Sequence, residues 1–389
     1  MRGNIGKMYA YHFFTGLHFI AGVLVPFFTE WGGISFSRIT FLQAWFVLWV
    51  FIFEIPTGAL ADRFGRKVSV ILSCAVFVAG ALVYTSTPHF GVFMAGEFLL
   101  ALSVALFSGA GGALIYDTLK EEGREAESKK VLGKFASFQM LGLLVGAPIG
   151  SLIASFIGLR EVMLFMIVPV FCALVIALTL REPLKRNRPE STSYRRVLVE
   201  GAKYFYSNRT VKILAFDQIS IGVPIFFMIW IYQLVLKEIG IPVIYFGLVH
   251  AGIVAVEIFC MSNFLLLERI FRSSKRYLLM SAVIPGLGLV LLAFVHWTPL
   301  VILLIIFVIG LGLPRSALLA NYMHKHIDSD KRATVMSSVN MAKGGVEAAL
   351  YPVVGLLVDW SVWYSIFVIG ILVLGAACVS RVRDEHLIS

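Results

Sequence analysis

GALADRFGRK, residues 58–67, places Asp62, Arg63, Arg66, Lys67 and two glycines in one short turn between two long apolar runs. Charge gathered so tightly marks a point where the chain leaves a hydrophobic environment and turns back into it. Composition says what that environment is. Of 389 residues, 59% are hydrophobic and 14% charged, whereas a soluble domain carries about 25% charged residues. The chain therefore reads as an all-α membrane protein.

A spanning helix needs about 20 mostly apolar residues. Outward from the turn, twelve stretches qualify: 8–28, 39–60, 68–87, 90–115, 132–155, 162–180, 211–235, 243–267, 277–296, 299–323, 334–357 and 363–380. The opening MRGNIGK leads into the first of them without a small-residue cleavage site, so that span is expected to be retained. Twelve spans leave both termini on one side. Of the 33 Lys and Arg residues, 28 fall in the connections on that side, and only Arg38, Arg160 and Lys237 fall on the other. Basic residues in short loops resist translocation, so both termini and the quoted turn are expected in the cytoplasm of a cell (inner or plasma) membrane. The net charge of +10 is thereby accounted for by topology, and no basic stripe for nucleic acid is expected. Cys74, Cys172, Cys260 and Cys378 lie in apolar runs without paired spacing, so neither a disulfide framework nor a metal knuckle is expected.

The longest polar stretch follows the sixth span and divides the chain into 1–180, a cytoplasmic linker 181–210, and 211–389. Within the linker, Val197, Leu198, Ala202, Phe205 and Tyr206 suit one side of a surface helix; a solvated linker fits equally. The halves repeat. LADRFGR after the second span matches LLERIFR after the eighth, pairing Asp62 with Glu268, Arg63 with Arg269 and Arg66 with Arg272 at a constant offset of 206. Repeated halves of this kind suit a transporter with its site between them.

Residues 58–67 resemble the signature G-x-L-A-D-R-x-G-R-K of the major facilitator superfamily at every defined position, and twelve spans in two halves extend the resemblance over the chain. It implies two pseudo-symmetric six-helix bundles and a conformational latch made by Gly58, Asp62, Arg63, Gly65, Arg66 and Lys67. Asp62 would cap the eleventh helix, and Arg66 would pair with Asp117 at the end of the fourth. Physically, an acid at a helix N-terminus is stabilised by the dipole. Gly58 and Gly65 are expected to permit a close backbone approach and a tight turn. A second stretch, with Gly133, Gly142, Gly146, Pro148 and Gly150 in the fifth span, is similar to the glycine-proline motif of drug:proton antiporters. It departs from that motif at Ala147 and Ser151, and Glu97 stands near the place where many proton-coupled members carry an arginine. Glycines four apart are also simply a helix-packing face.

Ionisable groups at bilayer depth cost about 2.5–3.5 kcal/mol each on insertion scales. Glu54, Glu97, Asp217, Glu257, Arg315, Lys343 and Glu347 fall there. Lys343 and Glu347, one turn apart, can pair; Glu257 has no local partner. Gly222 and Pro224 after Asp217, and Pro314 before Arg315, suggest broken helices. Glu97, Asp217, Glu257, Arg315, Lys343 and Glu347 are the candidates for substrate and proton coupling, and His12, His18 and Gln139 are further candidates for a path.

No G-x4-G-K-[ST] nucleotide loop, H-E-x-x-H or G-x-S-x-G occurs. A secondary transporter is therefore expected, monomeric, without cofactor or metal, and not an enzyme. Its partners would be protons, the lipid bilayer and small molecules. Efflux of amphipathic or drug-like compounds is the first reading; proton-coupled uptake of an organic solute, or lipid translocation, stands beside it.

Overall fold

The computed structural model describes residues 3–183, 203–205, 207–328 and 331–387. Of the surface helix considered in the linker, Val197, Leu198, Ala202 and Tyr206 lie outside the described residues. Eleven helices among those described are long and apolar enough to cross a membrane, and a bent pair makes a twelfth. In chain order they are α1 (Gly3–Gly22 with Leu24–Trp31), α2 (Phe36–Phe64), α3 (Arg66–Tyr84), α4 (Phe90–Glu121), α5 (Glu125–Phe156), α6 (Leu159–Leu178), α7 (Arg209–Glu238), α8 (Val243–Ser262), α9 (Ser274–Leu292), α10 (Thr298–Lys325), α11 (Thr334–Trp360) and α12 (Val362–Val379).

The breaks have local causes. The two parts of α1 meet at 61° around Val23, whose φ of −132° and ψ of 19° are not helical. Pro26, three residues on, has no N–H to return to the Gly22 carbonyl. The first span, expected over 8–28, is therefore bent. In α10 the helix interrupts at Leu313, just before Pro314, as the sequence suggested. The break expected after Asp217 is absent: α7 runs unbroken from Arg209 to Glu238 with Pro224 inside it.

Contacts divide the chain into two compact units, Met1–Arg188 with Pro242–Ala251, and Pro189–Ile241 with Gly252–Ser389. The core of the first gathers Met8, Tyr11, Val70, Leu114, Ile115 and Phe135. Its first and sixth helices are clasped by Asn4, whose side-chain amide donates to the Arg181 carbonyl at 2.8 Å and whose oxygen accepts the Arg181 N–H at 3.0 Å. Lys7 adds a bond to the Thr179 carbonyl at 2.7 Å. The second unit packs Leu214, Leu319, Tyr322, Met323, Val335 and Val339 into its own core. Outward-facing bulk such as Phe156, Phe294, Leu356 and Trp360 stays exposed, as lipid contact requires.

Candidate functional site

The quoted turn is built around Gly65, whose φ of +104° lies in the region glycine occupies freely. Glu182, immediately beyond α6, inserts its carboxylate at the start of α3, where it accepts the Arg66 N–H at 2.9 Å and the Lys67 N–H at 2.7 Å. These amides have no intrahelical acceptor, and the helix dipole favours an anion there. A Cβ on Gly65 would sit 2.9 Å from that carboxyl carbon, so glycine serves both the turn and the cap. The Arg66 guanidinium reaches Asp117 at 2.7 Å, tying α3 to the end of α4. Gly58 differs from expectation. It lies inside α2, and no atom of the described residues comes within 4 Å of a Cβ built on it, so the close approach expected there is absent.

The degenerate copy solves the same turn with different chemistry. Arg272 takes a φ of +64° without being glycine. Ser273 caps α9 by accepting the Arg276 N–H at 3.1 Å. Glu268, the counterpart of Asp62, accepts the Tyr322 hydroxyl at 2.7 Å.

In α5 the glycines form the face on which α1 rests. A Cβ on Gly146 would meet the backbone of Leu17 and His18 at 2.8–3.0 Å, one on Gly142 would meet the Gly16 backbone, and one on Gly150 would collide with the backbone of Phe19. Farther along this face, within the first unit, the Gly247 N–H donates to Ser151 Oγ at 2.6 Å, and a Cβ on Gly247 would strike Ala147 and Pro148. Pro148 and Gly150 are thus covered by neighbouring backbone.

The first unit also holds an open cavity of about 280 Å³, lined among others by His12, His18, Ser103, Ser108 and Gln139. His12 donates from Nδ1 to the Phe135 carbonyl at 2.9 Å and stacks on the Phe135 ring at 3.7 Å, which fixes the ring and leaves Nε2 available. No carboxylate lines this space. Glu97 lies elsewhere in the same unit, buried, accepting bonds from the Tyr84 hydroxyl at 2.6 Å and Gln43 Nε2 at 3.1 Å. The rings of Phe28, Phe93 and Tyr84 pack together beside it.

The second unit brings together two residues that sequence left apart. Asp217 of α7 and Arg315 of α10 form an ion pair with both side chains only 2% exposed. Ser380 donates to the other Asp217 oxygen. Arg315 also donates to the Leu278 carbonyl and, at 2.8 Å, to Ser281 Oγ. The pair therefore joins α7, α9, α10 and the end of α12, and its charges offset each other, although Arg315 also lines a cavity between α9 and α12. Lys343 and Glu347 pair at 3.4 Å along α11, with the Lys343 ammonium 5.8 Å from the Phe226 ring centre. Glu257 is half-buried in α8.

With this geometry in place, the sequence profile of the Major Facilitator Superfamily matches residues 8–352. The chain belongs to that superfamily. It is a multi-pass membrane protein. Over 167 residues, 42% of this chain and 38% of the relative, it is 30% identical to multidrug resistance protein 2 of Bacillus subtilis (strain 168). It is 27% identical over 143 residues to the methylenomycin A resistance protein of the same organism, covering 37% and 30% of the two chains. With a probable vesicular acetylcholine transporter-B of Danio rerio it shares 26% over 148 residues, or 37% and 29% of the two chains. The alignments span 24–38% of the length of these and the other curated relatives. Among solved structures, the nucleoside transporter NupG superposes with a TM-score of 0.75 at 12% identity, covering 97% of this chain and 98% of that one. A D-xylose-proton symporter does so at 0.73 and 14%, covering 98% and 97%. At such identities the likeness is one of fold.

Sequence reading of this facilitator missed Glu182, whose place in a run of charged linker residues hid its cap, and Ser380, a lone serine at a helix end. Neither carries a signal at the sequence level. Tyr322 was partly legible, because Tyr116 precedes it by the same offset of 206 that relates the two turns.

Proposed function

We propose that this facilitator exports small amphipathic or drug-like organic compounds in exchange for protons, as a monomer in the cell membrane with both termini in the cytoplasm. The observation that carries the reading is the seating of Gly142, Gly146 and Gly150 against the backbone of α1: the antiporter-like stretch is a tight helix contact whose glycines cannot be replaced without moving α1. The partial alignments with two Bacillus subtilis resistance proteins support the same direction. Glu257 and Glu347 are the proton carriers in this reading, with Lys343 holding Glu347 when no proton is bound and Glu97 as a further acid in the first unit. Asp62, Arg63, Gly65, Arg66, Lys67 and Asp117 form the conformational latch.

One feature favours uptake of a neutral solute as the second reading. The first-unit cavity offers imidazole, amide and hydroxyl groups but no carboxylate to attract a cation.

The test is internal pH in proteoliposomes challenged with amphipathic cations, for the parent, Glu257→Gln and Glu347→Gln. Proton movement triggered by a compound and abolished by either substitution is expected. Compound crossing the bilayer without proton movement removes the antiport reading.

A further inference from the structure

On the end of the second unit where α7 begins and α12 ends, two cavities run into each other. One, about 850 Å³, is lined by Arg209, Lys275, Arg381 and Arg383, with Glu385 as its one carboxylate. The other, about 490 Å³, lies deeper between α9 and α12 and is mainly apolar, with Leu279, Ala282, Val283 and Leu374 among its walls. Lys275, Ser380 and Val382 line both, so the basic space is the mouth of the apolar cleft.

The mouth is under-neutralised. Arg383 pairs with Glu385 at 3.6 Å, while Arg209, Lys275 and Arg381 are exposed and take no ion pair among the described residues. Burial holds the His386 imidazole at the rim below its usual pKa, so at neutral pH it adds no compensating or further charge. Four cations against one acid, at the level where helices end, call for a dianionic or monoanionic phosphate. The apolar cleft beneath calls for a hydrocarbon chain attached to it.

We infer that this groove binds an anionic phospholipid, its headgroup phosphate among Arg209, Lys275 and Arg381 and an acyl chain between α9 and α12. Charge complementarity selects the headgroup, and the continuity of the two cavities selects a lipid over a soluble anion. The site lies on the cytoplasmic side under the proposed topology, where anionic lipid is exposed to basic residues. Ser380 connects it to the interior, since the same side chain lines both cavities and donates to Asp217.

The experiment is native mass spectrometry of the full chain released from detergent, titrated separately with dioleoyl-phosphatidylglycerol, dioleoyl-phosphatidylcholine and inorganic phosphate. One retained phosphatidylglycerol is expected, with phosphatidylcholine held far more weakly. Each interfacial cation contributes about fivefold in affinity, so Lys275→Gln with Arg381→Gln should weaken retention by about 25-fold. Lys129→Gln with Lys130→Gln, exposed basic residues of the first unit, should leave it unchanged. Leu279→Gln, at a position 40% exposed, tests the cleft without disturbing the core and should also weaken retention. Gel filtration confirms that each variant is folded; if the double variant is not, Arg209→Gln alone carries the same test. Equal retention of both lipids, no loss in the charge variants, or displacement of phosphatidylglycerol by phosphate alone would overturn the inference.

Discussion

Asp217→Asn removes one charge from a pair whose members are each 2% exposed. The remaining guanidinium keeps its bonds to the Leu278 carbonyl and Ser281 but loses its counter-ion. Removing one partner of a buried pair costs about 3–5 kcal/mol. The carboxamide still offers Ser380 an acceptor, worth about 1 kcal/mol, so the loss should fall near the lower end, about 3 kcal/mol. Arg315→Leu strands the carboxylate with one hydroxyl donor and should fall near the upper end, about 5 kcal/mol. A buried pair taken as a whole is close to neutral in stability. The double variant Asp217→Asn with Arg315→Leu should therefore cost only about 1–2 kcal/mol, well short of the two single losses combined. Unfolding of the purified chain in detergent micelles, followed by tryptophan fluorescence, gives all four midpoints. If the double variant loses as much as both singles together, the two residues do not act as a unit. If Asp217→Asn is as stable as the parent yet loses proton movement in proteoliposomes, Asp217 is a coupling group and the structural role is wrong.

Three further outcomes follow from named contacts. Gly146→Leu forces α1 away from α5, because its Cβ would lie 2.8 Å from the His18 backbone nitrogen; transport should fall at least tenfold with expression reduced, read by flux per folded molecule. Gly65→Ala should destabilise by about 1–2 kcal/mol, combining a left-handed backbone with collision against Glu182, whereas Arg272→Gly should stabilise by up to about 1 kcal/mol, both read from unfolding midpoints. His386 accepts the Arg383 N–H at 3.1 Å, and its folded pKa is held below the unfolded value by burial. Its contribution is therefore complete above about pH 6.5 and declines as the pH falls below that value; amide protection at Arg383 should drop on acidification in the parent and show no such step in His386→Gln.

The turn at 58–67, the alternation of long apolar runs with basic loops, and the offset of 206 made the fold legible, because each is a local pattern that survives without knowledge of helix faces. The candidate site was less legible for a physical reason. Helices apolar on nearly every side carry little periodicity, so nothing in the chain indicated that Asp217 and Arg315, 98 positions apart, face each other. Glu97 was recognised as an intramembrane acid, but Gln43 and Tyr84 are ordinary residues until the fold places them against it. The bend in α1 was hidden because Gly16, Gly22 and Pro26 each occur elsewhere within continuous spanning helices; Pro224 in α7 is such a case.

The clasp between Asn4 and Arg181 constrains how the protein is made. The partner of the first helical turn is encoded 177 residues later, so while the first five helices enter the membrane the Asn4 amide has no Arg181 to meet. Domains generally mature from the N-terminus as the chain emerges, but this clasp on the opening helix can close only after the sixth has been made. A fusion placed directly before Asn4 would therefore act on assembly of the first unit, delaying its closure and exposing it to quality control, before any effect on transport was felt.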